Sequence, residues 1–219
     1  CSSSRRHTRS TLQSRGLGDV YKRQDGHRLA ICELVTDVGD SSEQQVIVPR
    51  KGVQELQRLL GDSDAAVQVE IGSNHIRITT EELRFTSKLI DGRFPDYQRV
   101  IPEGADKILA VNRELLRQAL TRTSILSNEK YRGIRLDISK NLLKIQAHNP
   151  EQEEAVEELE VDYKDDSMLI GFNVTYLLDV LGAIDGTDVE LHLSDANSSA
   201  LISKPGQDDC RYVVMPMRL

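Results

Sequence analysis

Tryptophan is absent from this 219-residue chain, and aromatic residues make up only 4% of it. A core built on aromatic rings is therefore excluded, and the interior has to be assembled from Leu, Ile and Val. Long apolar runs are missing too. None approaches the ~20 residues that a membrane-spanning helix needs, so no membrane partner is expected. Cysteine is scarce. Cys1, Cys32 and Cys210 are far apart, odd in number and without metal-ligand spacing. That pattern points to a reducing, cytoplasmic setting in which thiols stay reduced.

Positive charge is also short, with 28 Lys+Arg against 35 Asp+Glu and a net of −7. The deficit is uneven. Residues 1–24, "CSSSRRHTRSTLQSRGLGDVYKRQ", hold six of the basic residues and one acid, leaving 22 basic against 34 acidic residues and a net of −12. This stretch is rich in Ser and Arg and has no hydrophobic period. It lacks the apolar core of a signal peptide. It reads as a non-native or disordered leader and is set aside from the fold; a basic arm for nucleic acid is the other reading.

Beyond the leader, one plan is written more than once. "VIVPRKGVQELQRLLG" reads as strand, turn and helix, with Val53, Leu56 and Leu60 on the apolar face. "AAVQVEIGSNHIRIT" reads as a hairpin by its alternation, and "LRFTSKLIDGRFPDY" as a third strand. The same order returns in "MLIGFNVTYLLDVLGAID", "TDVELHLSDANSSALIS" and "RYVVMPMRL". Leu60-Gly61 falls on Leu181-Gly182, and Val67 on Val189. Between them, "ILAVNRELLRQALTRTSILS", "RGIRLDISKNLLKIQAHN" and "EEAVEELEVDY" supply a further strand-helix-three-strand unit. Self-similarity of this kind marks a duplicated domain. Strands joined by tight turns must be antiparallel, so the class is α+β. Residues 97–219 read as a complete domain of two βαβββ units, and 25–96 as the back part of a preceding copy.

The words "DGHRLA", "VIVPRKGV", "FTSKLIDGRFPDY", "ILSNEKYRG", "NPEQEEA", "GFNVTYLLDVL" and "YVVMPMRL" together resemble the bacterial DNA polymerase III beta subunits, the sliding clamps of replication. The resemblance covers 25–219 and implies the DNA-clamp fold, with antiparallel outer sheets and inner helices. It implies a homodimeric ring that encircles duplex DNA without reading its sequence. The expected role is a non-catalytic processivity factor that needs no cofactor. Residues 25–96 are then the C-terminal part of a middle domain whose front is missing, and the first domain is missing as well.

The resemblance also implies sites. A hydrophobic groove for short linear motifs of the polymerase III alpha subunit, the clamp loader and repair polymerases would be formed by His27, Arg28, Leu29, Pro95, Arg99, Val100, Asn173, Tyr176, Ser199, and Val213, Val214, Met215, Pro216, Met217, Arg218 and Leu219. Methionine suits such promiscuous surfaces because it is flexible and polarizable. Arg50, Lys51, Gln54 and Arg58 on one helix, with Arg113 and Arg117 on another, are expected to face DNA phosphates. The third helix carries no Lys or Arg, only Asp179, so the basic lining is sparse. Ile125 and Leu126, apolar beside a helix end, are expected at the subunit interface. His27 beside Asp25 could suggest a catalytic base. No Ser or Cys nucleophile pattern and no second metal-spaced histidine accompanies it, so no catalytic or metal site is assigned. The alternative function is a sequence-independent DNA-binding protein using the basic leader and the helix faces.

Overall fold

A computed structural model describes residues 11–15, 18–24, 26–34, 44–61, 66–92, 97–102 and 104–218, with the backbone alone for 11–24 and Asp208. The chain divides into two compact units, one of residues 1–24 and 30–96, the other of residues 25–29 and 97–219.

In the first unit, β1 (Thr11–Arg15) and β2 (Gly18–Gln24) pair antiparallel. They are followed by β3 (Arg28–Leu34), of which Ala30–Leu34 belong to this unit, and by β4 (Gln45–Val46), with β4 on the open side of β1. Strand backbone thus reaches into the stretch that the sequence reading set aside as a leader. Helix α1 (Arg50–Leu60) comes next, beginning after Pro49 without a side-chain cap. β5 (Gln68–Ile71), β6 (His75–Thr79) and β7 (Arg84–Lys88) then form an antiparallel sheet. The β5–β6 turn closes where Gly72 N–H donates to the His75 carbonyl at 2.8 Å.

The alternation is confirmed on β6, where Ile76 and Ile78 are buried. The chain on and just before β5 is poorly covered: Val69 on the strand and Val67 ahead of it are exposed, and α1 buries none of its residues. Cys32, on β3, is half-buried and disulfide-bonded.

The second unit repeats one order twice. The first half is β8 (Lys107–Asn112), α2 (Arg113–Ser124), β9 (Gly133–Ser139), β10 (Leu142–His148) and β11 (Glu154–Glu160). The second is β12 (Met168–Asn173), α3 (Val174–Ala183), β13 (Asp188–Leu193), β14 (Ala200–Lys204) and β15 (Gln207–Val214). The halves exchange a strand. β12 pairs with β9, and β8 pairs with β13, all antiparallel. The resulting ladders run β11-β10-β9-β12 and β15-β14-β13-β8.

Both helices start the same way for the same reason. Asn112 ends β8 and accepts from the Glu114 and Leu115 amides at 3.1 and 3.0 Å. Asn173 ends β12 and accepts from the Thr175 amide at 2.9 Å. Each Asn satisfies amides that have no carbonyl partner inside the helix. Alternation then sends one side of each strand inward: Ile134, Leu136 and Ile138 from β9, and Val189, Leu191 and Leu193 from β13. With Leu116, Leu120, Phe172 and Leu177 they form one continuous, mainly aliphatic core. Burial of one such side chain stabilises by about 1.5–3 kcal/mol, which is why this unit holds its sheets so completely. Cys210, on β15, is also disulfide-bonded. Neither it nor Cys32 is the reduced thiol that the sequence reading expected.

Candidate functional site

The second unit gathers residues from opposite ends of the sequence around Tyr176. Segment 25–29 belongs to this unit. The His27 ring stacks on Tyr176, with centroids 6.2 Å apart and planes 18° apart. The Arg28 guanidinium lies over the same ring, 4.6 Å from its centroid. Arg28 also donates to the carboxylate of Asp179 on α3. Tyr176 and Asp179 stand three residues apart on one helix, a spacing that puts both on the same face.

The C-terminal tail runs past this cluster. Met215 N–H donates to the His27 carbonyl at 2.9 Å, and Met217 N–H donates to the Gly171 carbonyl at 2.8 Å. Between them Pro216 has no N–H to place. Met215, Pro216 and Met217 are half-buried and Arg218 is exposed. The tail therefore leaves its strand after Val214 and is held by two separate backbone bonds. An apolar end is stable in this form because its amides are tied down.

Several expected groove residues take other or additional duties. Val213 and Val214 are closed to solvent, with exposures of 1% and 0%, and Leu29 is 3% exposed. These three support the site from below and offer no open surface. Asn173 caps α3 and also donates from its side chain to the Tyr131 carbonyl at 3.1 Å. Arg99 and Val100 lie on a short 3-10 turn, Gln98–Val100, and Ser199 is half-buried in the loop before β14. Pro95 and Leu219 lie outside the described residues. Asp179, Gly171 and Tyr131 were missed as site residues. Asp179 alone carried a signal, as the sole charge on its helix and three residues after Tyr176.

The basic helix faces divide. On α1, Arg50, Lys51, Gln54 and Arg58 are all exposed. Arg50 and Lys51 sit in a first turn that holds no acid. The positive end of the helix macrodipole favours anions there, so the two cations cost α1 stability while adding to a field that suits phosphates. Arg58 is paired with Glu55, whose carboxyl that bond holds below its usual range.

On α2, Arg117 grips Glu114 with two bonds of 2.9 and 2.8 Å. That fork, with a bond from Gln118, lowers the Glu114 carboxyl to about 2. Arg113 departs from the expected solvent-facing set. It is half-buried, and its Nη1 donates to the Leu181 and Ile184 carbonyls at 3.1 and 2.9 Å. It braces the end of α3, where carbonyls lack partners within the helix.

Ile125, just past α2, is 76% exposed, and Leu126 is half-buried. Among the described residues no cluster of His, Cys, Asp or Glu is set to hold a metal ion, and no helix is long and apolar enough to cross a membrane.

Comparison with known proteins follows this division of the chain. The family model for the C-terminal domain of the DNA polymerase III beta subunit matches residues 98–218, and that for its central domain matches residues 20–96. The beta sliding clamp of Pseudomonas putida KT2440 is 59% identical over 195 residues, which are 89% of this chain and 53% of that protein. The beta sliding clamp of Escherichia coli K12 is 54% identical over 196 residues, again 89% and 53%. The chain spans about half the length of the curated relatives it matches. Among solved structures, the DNA polymerase III subunit beta of Pseudomonas aeruginosa superposes with a TM-score of 0.93 at 54% identity, covering 100% of this chain and 60% of that one. The sliding clamp of Bartonella birtlesii bound to griselimycin gives 0.90 at 37% identity, covering 96% and 58%.

Proposed function

The chain belongs to the DNA polymerase III beta subunit family, and on that premise we propose that it works as part of a sliding clamp. In this reading it is a non-catalytic processivity factor. In its homodimeric form it encircles duplex DNA, and it tethers the polymerase III alpha subunit, the clamp loader and repair polymerases through one peptide groove. It acts in the cytoplasm, where the DNA is.

The observation that carries the reading is the tail. Met215 and Met217 are held by backbone bonds to His27 and Gly171, beside the stacked His27, Arg28 and Tyr176 side chains. This sets a half-buried, polarizable apolar strip next to an aromatic and cationic rim. Such a surface suits a short peptide with apolar side chains and a few polar groups. The arginine–glutamate pairs on α1 and α2 support weak, sliding DNA contact. Each pair removes a cation that tight phosphate binding would use. The exposed Ile125 supports a subunit contact at the end of α2.

The test is fluorescence anisotropy with a labelled peptide from the tail of a polymerase III alpha subunit. The full 219-residue chain should bind it saturably, and a version lacking Met215–Leu219 should not. Equal binding by both, or binding by neither, would remove the groove from the account.

A further inference from the structure

We propose that Asp179 is a positioning residue for the peptide groove: it holds the Arg28 guanidinium over Tyr176 and cancels its charge, so that the rim favours apolar over acidic peptide segments. The inference deepens the groove reading above and rests on it.

Arg28 and Asp179 meet across 151 residues of sequence. The contact places the guanidinium 4.6 Å from the Tyr176 centroid, while His27 stacks on the same ring. One aromatic ring thus carries two neighbours, and Arg28 is tied to a counter-charge on α3. The exposures of the pair are unequal. Arg28's side chain is 25% exposed and Asp179's is 58%. A largely covered cation needs a partner to offset its desolvation. A largely open carboxylate is worth little to the fold. Loss of Asp179 should therefore register in the site more than in stability.

Ligand choice follows from the same geometry. A peptide carboxylate that approaches Arg28 must compete with Asp179 and is repelled by it. A neutral or apolar side chain meets a capped cation and the Tyr176 ring. Removal of the Asp179 charge takes away one tie that holds Arg28 over the ring and lets its guanidinium donate to an acidic residue of the peptide.

The experiment uses the full chain, a labelled peptide from the polymerase III alpha tail, and its twin with one uncharged residue replaced by aspartate. For Asp179→Asn we expect a folded chain with a melting temperature lowered only slightly and about threefold weaker binding of the parent peptide, in line with loss of one cation–π alignment. The preference between the two peptides should move toward the acidic twin by about threefold, less at high salt, as expected for partly exposed charges. Asp179→Glu should restore the parent preference. In an Arg28→Gln background the Asp179→Asn change should have no effect on the preference, because the pair is already broken.

Wild-type binding with affinities and preference unmoved by Asp179→Asn would overturn the inference while leaving the groove intact. A shifted preference that persists in the Arg28→Gln background would also overturn it. Failure of the wild-type chain to bind the parent peptide would overturn the groove reading itself, and this inference with it.

Discussion

The backbone amide of Met215 donates to the carbonyl of His27 at 2.9 Å, joining the last residues of the chain to the segment that enters β3. A second bond, from Met217 to Gly171 at 2.8 Å, fixes the tail against β12. Neither bond depends on which side chain the tail carries. The tail's course is thus set by main-chain pairing, with its two methionines left half-buried.

The tail should steady the His27–Arg28 segment. Met215→Pro removes the donor, and loss of a bond of about 1 kcal/mol should raise local opening about fivefold. Tryptic cleavage after Arg28 should accelerate accordingly, read by mass spectrometry over time. An unchanged rate would mean that the tail does not hold this segment.

Arg113 should matter to stability before it matters to DNA. Arg113→Ala leaves the carbonyls of Leu181 and Ile184 without their shared donor, at a cost of about 1–3 kcal/mol. Urea unfolding of the variant should show that loss. A midpoint equal to that of the parent would return Arg113 to the DNA-facing set.

Acid should release the Glu114–Arg117 fork. The Glu114 carboxyl lies at about 2 in the folded chain, against an ordinary value of 4.5. A depressed carboxyl contributes stability above its unfolded value and loses it as pH falls through the folded one. The window is therefore from about 4.5 down to about 2. Carboxyl NMR should place the Glu114 midpoint near the lower end, and Arg117→Gln should move it up. A midpoint indifferent to Arg117 would assign the shift to another cause.

The two units should differ in resistance to protease. The second buries a continuous core from both βαβββ halves. In the first, α1 buries no residue and Val67 and Val69 are open. Trypsin should cut after Arg50, Lys51 or Arg58 well before it cuts after Arg113, Arg117 or Arg122, since local opening follows local burial. Equal rates would contradict this ranking of the two units.

Much of the architecture was legible because local chemistry and global fold agree. Alternation marked "NHIRIT" as the return strand of a hairpin, and Ile76 and Ile78 on it are buried. The βαβββ order was visible as repeated words, and the two helices of the second unit lie within the words "ILAVNRELLRQALTRTSILS" and "MLIGFNVTYLLDVLGAID". The expected groove cluster was legible only through resemblance. No periodicity links His27 to Tyr176, whose contact depends on a fold that brings distant segments together. The Arg117–Glu114 fork could have been read, since residues three apart on a helix are neighbours. Arg113 could not: the carbonyls it braces are 68 and 71 residues away.

The sequence by itself determined the strands, the helices, their apolar faces and their asparagine caps, because each depends on residues within a turn or two. Only the tertiary structure decided what the exposed-looking groups do. It turned Arg113 inward to the end of α3 and sealed Val213 and Val214 in the core. It set Asp179 against Arg28 over Tyr176. These outcomes turn on which distant segments the packed core brings within hydrogen-bond reach, and reach is a property of three-dimensional packing that no local pattern encodes.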